Sequence, residues 1–129
     1  MPKRILVIDD HPNVVRSIQV NLEREGYEVC SAHEGVTGLD LARRGRPDLI
    51  ILDVMMPGLD GRAVLRELKV DPDTATIPVL ILTVLNDAHE VAFSLDLGAQ
   101  WHLPKPFNVH ELLAIVKRLL EVEQYCPSA

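Results

Sequence analysis

The chain has 129 residues, of which 47% are hydrophobic, 25% charged and only 4% aromatic, the size and balance of one domain with an aliphatic core. It carries too much Val, Ile and Leu for a disordered chain, and no apolar run approaches the roughly 20 residues that cross a bilayer. A net charge of −6 argues against direct nucleic-acid binding, which calls for a basic field, and with no basic-then-apolar leader the expected location is cytoplasmic, away from membranes.

The first aliphatic run, Ile5-Leu6-Val7-Ile8, is short, unalternating and rich in β-branched residues, which suits a strand buried on both faces of a parallel sheet. Pro12 fits a first helical position; Val15, Ile18 and Leu22 then recur at helical spacing up to Gly26. Tyr27 to Ser31 alternates as a half-exposed edge strand does. Val36, Leu39 and Ala42 predict a second helix, with Gly45 in the left-handed conformation that ends it. Leu49-Ile50-Ile51-Leu52 repeats the buried-strand pattern, and a third helix follows Asp60-Gly61, carrying Ala63, Leu65 and Leu68.

Val79-Leu80-Ile81-Leu82 predicts a fourth strand. Asp87 with Glu90 has capping-box spacing and opens a helix that closes at Gly98. Trp101-His102-Leu103 is a brief last strand. Asn108 with Glu111 caps a final helix whose apolar face is Leu112, Leu113, Val116, Leu119 and Leu120. Five strands alternating with five helices imply an α/β fold, a doubly wound five-stranded parallel sheet of flavodoxin-like architecture. One domain over residues 1–122 is expected, followed by a tail or truncated linker over 123–129.

Several features read as ordinary. Arg43, Arg44 and Arg46 form a short basic cluster at a helix end, where the dipole favours cations. Cys30 and Cys126 are expected to be free thiols in a reducing compartment. His11, His33, His89, His102 and His110 show no paired metal spacing, so no zinc site is expected. No phosphate-binding glycine loop occurs, and nucleotide binding has no support.

The strand ends are more informative. The first run ends in Asp9-Asp10, the third in Asp53 and the fourth in Thr83. Ligands of open α/β sheets bind beyond the carboxyl ends of the strands, and right-handed crossovers put those ends on one side. Three carboxylates and a hydroxyl therefore converge. Such a cluster raises a pKa or recruits a cation, and oxygen donors with no nearby Cys or His suit Mg²⁺ or Mn²⁺. Lys105, stiffened between Pro104 and Pro106, adds an ammonium on the same edge.

At these separations Ile5-Leu6-Val7-Ile8-Asp9-Asp10, the stretch from Leu52 to Gly61, Ile81-Leu82-Thr83 and Lys105-Pro106-Phe107 resemble the receiver domain of two-component response regulators, from Lys3 to about Leu120. The resemblance implies that Asp53 is the phosphoacceptor, supplied by a sensor histidine kinase or a phosphotransfer protein. It implies Mg²⁺ held by Asp10, Asp53 and the backbone carbonyl of Met55, with Asp9 acting mainly through water and Mn²⁺ able to substitute. Thr83 and Lys105 would contact the phosphoryl oxygens, and Thr83 would serve as a switch residue. The protein would catalyse its own phosphotransfer and autodephosphorylation, with no independent metabolic activity. A downstream output protein or domain, and a phosphorylation-dependent homodimer, are the further partners so implied.

Two positions depart from the family pattern. His102 stands where receivers usually carry a switch Tyr or Phe, and Val84 follows Thr83 where a small residue is usual; we expect Val84 to gate access to Asp53. A degenerate receiver, keeping the fold as an unphosphorylated interaction module, is the alternative; the intact acidic residues, Thr83 and Lys105 argue against it. A flavodoxin-type electron carrier would need a hydroxyl- and Gly-rich loop after the first strand, which is missing.

Overall fold

The computed structural model describes residues 2–53, 61–83, 98–104 and 107–124. Along the chain run β1 (Arg4–Ile8), α1 (Pro12–Arg24), β2 (Glu28–Ala32), α2 (Gly35–Gly45), β3 (Leu49–Asp53), α3 (Gly61–Val70), β4 (Val79–Thr83), β5 (Trp101–Pro104) and α4 (Val109–Gln124). The helix expected from Asp87 to Leu97 lies outside the described residues. All four strand pairings are parallel, in the order β2-β1-β3-β4-β5. The chain winds outward from β1 to β2 and then back across to β3. The switch point is therefore the crevice between the carboxyl ends of β1 and β3.

The side-chain period of two explains the unalternating runs. Leu6, Ile8, Ile50, Leu52, Val79 and Ile81 pack with Leu39, Ala42, Val64, Leu65 and Leu68 of α2 and α3. Their neighbours Ile5, Val7, Leu49, Ile51, Leu80 and Leu82 pack with Val15, Ile18, Leu22, Leu112 and Val116 of α1 and α4. Both faces are covered by helices, so every position must be apolar. Gly38 lets α2 approach β1 closely: a Cβ built there would stand 2.6 Å from Ile8 Cδ1.

Helix ends follow the punctuation with one correction. Gly26 takes a positive φ of 92°, and α1 closes by bonds from Gly26 N to Glu23 O and from Tyr27 N to Leu22 O, 3.0 and 3.2 Å, the paired closure of a Schellman end. Asn108 caps α4, its Oδ1 accepting from His110 N at 2.7 Å. In α2, however, Gly45 remains helical and Arg46 takes the left-handed conformation, φ 45°. Pro47 disfavours a right-handed helical Arg46, so α2 ends there. β2 likewise begins one residue later than its alternation implies.

The basic cluster is paired rather than simply solvated. Arg43 Nε donates to Asp71 Oδ2 at 2.8 Å, Arg44 pairs with Asp40 on its own helix, and Arg46 lies 3.7 Å from Asp73. The Arg43 and Arg46 contacts tie the end of α2 to the turn after α3. Among the described residues, no helix is long and apolar enough to cross a membrane.

Candidate functional site

Parallel register places the acidic residues. Ile8 of β1 lies beside Leu52 of β3, so Asp9 and Asp53, each next in line, emerge together at the same edge. Both are wholly buried. The Asp9 backbone stays on the sheet, its N–H bonded to Ala32 O at 3.0 Å, whereas Asp10 has left it and its side chain is 24% exposed. Buried carboxylates need donors or a cation facing them.

Part of that compensation comes from a residue absent from the expected site. The His11 backbone N–H donates to Asp9 Oδ1 at 2.9 Å. Its ring nitrogen Nδ1 lies 2.9 Å from Asp9 Oδ1, 3.2 Å from Asp10 Oδ1 and 3.6 Å from Asp53 Oδ2. Donor atoms of Asp9, Asp10, His11 and Asp53 all lie within 4.8 Å of one another. The expectation of an oxygen-only cluster with no nearby histidine is thus corrected. Pairing of histidines along the chain was the wrong signal; adjacency to Asp9-Asp10, just before the helix opened by Pro12, was the right one. His33 also borders the cluster, its Nδ1 3.3 Å from the Asp9 carbonyl oxygen.

The donor set fits a hard divalent cation. Three carboxylates converge, and Asp10 Oδ1 is buried with no hydrogen-bond partner. A buried anionic oxygen left in that state is poised to take a cation.

Among the other expected site residues, Thr83 closes β4, the strand next to β3, and its backbone pairs in register with Pro104. His102 is half-buried on β5 beside Ile81, and Trp101, its neighbour, is 41% exposed. Met55, Val84 and Lys105 lie outside the described residues. Pro104 nevertheless ends β5 at the same sheet edge, and Lys105 follows it in sequence.

A parallel sheet of this order defines a doubly wound α/β domain of flavodoxin-like architecture, here with acidic residues at its β1/β3 switch point. The family model for the response regulator receiver domain matches residues 5–117, and the chain belongs to that family. It is 44% identical over 126 residues to the DNA-binding dual master transcriptional regulator RpaA of Synechocystis, covering 98% of this chain and 52% of RpaA. The chain thus spans about half the length of the curated relatives it matches. Among solved structures it is similar to the signal receiver domain of a signal transduction histidine kinase from Syntrophus aciditrophicus, with 38% identity, a TM-score of 0.88 and coverage of 98% of this chain and 96% of that one. It is also similar to the receiver domain of the sensor histidine kinase PA1611 from Pseudomonas aeruginosa, with 29% identity, a TM-score of 0.86 and coverage of 94% and 99%. That structure holds a magnesium ion in its active-site cleft. Receiver domains bind Mg²⁺ at an acidic pocket, and this chain has the acidic pocket.

Proposed function

We propose that the chain is a phosphorelay switch that accepts a phosphoryl group on Asp53 from a phosphohistidine of a sensor histidine kinase or phosphotransfer protein. The observation that carries this is the wholly buried Asp53 at the end of β3, gathered with Asp9 and Asp10 into one cluster. A carboxylate oxygen of Asp53 attacks phosphorus in line with the leaving nitrogen. The P–O bond forms as the P–N bond breaks, and the electron pair stays on the donor imidazole. Asp10, Asp53 and the Met55 carbonyl would hold Mg²⁺, or Mn²⁺ in its place, with Asp9 acting through water. The bound cation supplies neutralising charge for the phosphoryl oxygens.

Thr83, at the end of the neighbouring strand, is suited to donate a hydrogen bond to a phosphoryl oxygen, and Lys105 to pair with another. Hydrolysis of the acyl phosphate resets Asp53, with Val84 gating the approach of donor and water. His102 and Thr83 would convert the modification into a changed surface around β5 and α4. That surface would be read by an output domain or protein, or by a second copy of the chain. We assign the receiver unit to residues 1–122, with a tail or truncated linker over 123–129, working in the cytoplasm.

Incubation with Mg²⁺ and acetyl phosphate tests the assignment. The wild type should gain one phosphoryl group by mass spectrometry, and Asp53→Asn none.

A further inference from the structure

His11 brings to the acidic cluster a nitrogen donor that a magnesium site does not require. Its Nδ1 stands 2.9 Å from Asp9 Oδ1 and 3.2 Å from Asp10 Oδ1. Neighbouring ligands of an octahedral cation with bonds of about 2.1 Å are about 3.0 Å apart. The separation from Asp10 is close to that edge, so one ion can touch the imidazole and Asp10 with little rearrangement, Asp9 acting through water. Asp53 Oδ2, 3.6 Å from the same nitrogen, is near enough to join them.

The ring is held in place by its backbone. The His11 N–H is bonded to Asp9 Oδ1 and its carbonyl accepts from Val15 N at 3.0 Å. Pro12 follows at the first turn of α1 and fixes the chain direction. Without an ion Nδ1 is hydrogen-bonded to Asp9 Oδ1 at 2.9 Å; with an ion bound and the ring proton on Nε2, the Nδ1 lone pair would take the place of that bond and face the cation. Imidazole suits late first-row metals, whereas Mg²⁺ favours oxygen; for a given mixed site affinity rises from Mn²⁺ through Co²⁺ to Ni²⁺.

We propose that His11 is a metal ligand of this site through Nδ1 and that it makes the site select Co²⁺ and Ni²⁺ over Mg²⁺. The inference rests on the acidic cluster being the cation site of the proposed function. It goes further in assigning a ligand and a selectivity to this chain's own histidine.

Calorimetric titration of Mg²⁺, Co²⁺ and Ni²⁺ into the wild type and His11→Ala, with the visible spectrum of bound Co²⁺ recorded for each, tests it. Far-UV circular dichroism confirms folding, and His11→Phe provides a second variant that keeps a ring without the donor. In both variants Co²⁺ and Ni²⁺ should bind at least about tenfold more weakly, about 1.4 kcal/mol, with Mg²⁺ affinity nearly unchanged. The Co²⁺ absorption should move to longer wavelength as water replaces nitrogen. Unchanged Co²⁺ affinity and spectrum would overturn the proposal. So would a rise in Mg²⁺ affinity equal to that of Co²⁺, which would make the imidazole a competitor for the cation position. Co²⁺ binding that depends on His11, in a wild type that takes no Mg²⁺, would support the ligand while refuting the magnesium site.

Discussion

The His11 imidazole reaches from the start of α1 to within 3.6 Å of the Asp53 carboxylate at the end of β3. Two residues far apart in the chain meet there because β1 and β3 are adjacent parallel strands whose carboxyl ends open at one crevice. The buried acids Asp9 and Asp53 flank the same point. Whatever enters the crevice meets carboxylates and an imidazole together.

Mg²⁺ should raise the thermal midpoint of the wild type, because an ion bound only by the folded carboxylates stabilises the fold by mass action. The gain is about 2.7 kcal/mol at a hundredfold excess over the dissociation constant. In Asp10→Ala, which removes the buried Oδ1 that lacks a hydrogen bond, the effect should largely vanish. Differential scanning calorimetry with and without Mg²⁺ checks this; equal shifts in both proteins would place the ion elsewhere.

Gly38→Ala should destabilise the fold by about 1–3 kcal/mol, since the new methyl would meet Ile8 Cδ1 and Cγ1 at 2.6 and 2.8 Å and force α2 off the sheet. Ile8 immediately precedes the acidic pair, so the strain is applied beside the site. Urea unfolding of the variant gives the magnitude. Adding Ile8→Val should recover part of the loss, and no recovery would mean that the clash is relieved elsewhere.

Asp71 governs a pH dependence at the α2–α3 junction. The Asp73 backbone N–H, with help from the Arg43 guanidinium, holds its carboxyl below the usual carboxylate value. A group whose pKa is lower folded than unfolded favours the fold above its unfolded value, about 3.9. That contribution is lost as pH falls through the lower folded value. Asp71→Asn should therefore flatten the acid limb of a plot of thermal midpoint against pH. An unchanged limb would mean that other carboxylates set it.

On the proposed gate role, Val84→Ala should accelerate both labelling by acetyl phosphate and loss of the label, because it removes a stiff branched side chain. A tenfold gain corresponds to about 1.4 kcal/mol of barrier. Unchanged rates with a lowered thermal midpoint would make Val84 a packing residue.

The sheet was legible because each aliphatic run must serve two faces. Ile5 and Val7 turn to α1 and α4 while Leu6 and Ile8 turn to α2 and α3, which leaves no polar position and so no alternation to mislead. Asp9, Asp10 and Asp53 were equally legible, since strand ends on one side of a parallel sheet converge without any need for exact geometry. Local choices were harder. Arg46 takes the turn that Gly45 predicts, one residue later, where Pro47 ends the helix. No histidine pair along the chain marks His11, because its partners come from two strands that meet only in space.

The most direct test of the phosphoacceptor assignment is to locate the phosphoryl group. The wild-type protein is treated with Mg²⁺ and acetyl phosphate, and the labelled aspartate is trapped by borohydride reduction and mapped by tandem mass spectrometry. We predict a single modified residue, Asp53, and no incorporation into Asp53→Asn. Full-stoichiometry labelling of Asp53→Asn, or a modification mapped to Asp9 or Asp10 in the wild type, would contradict it.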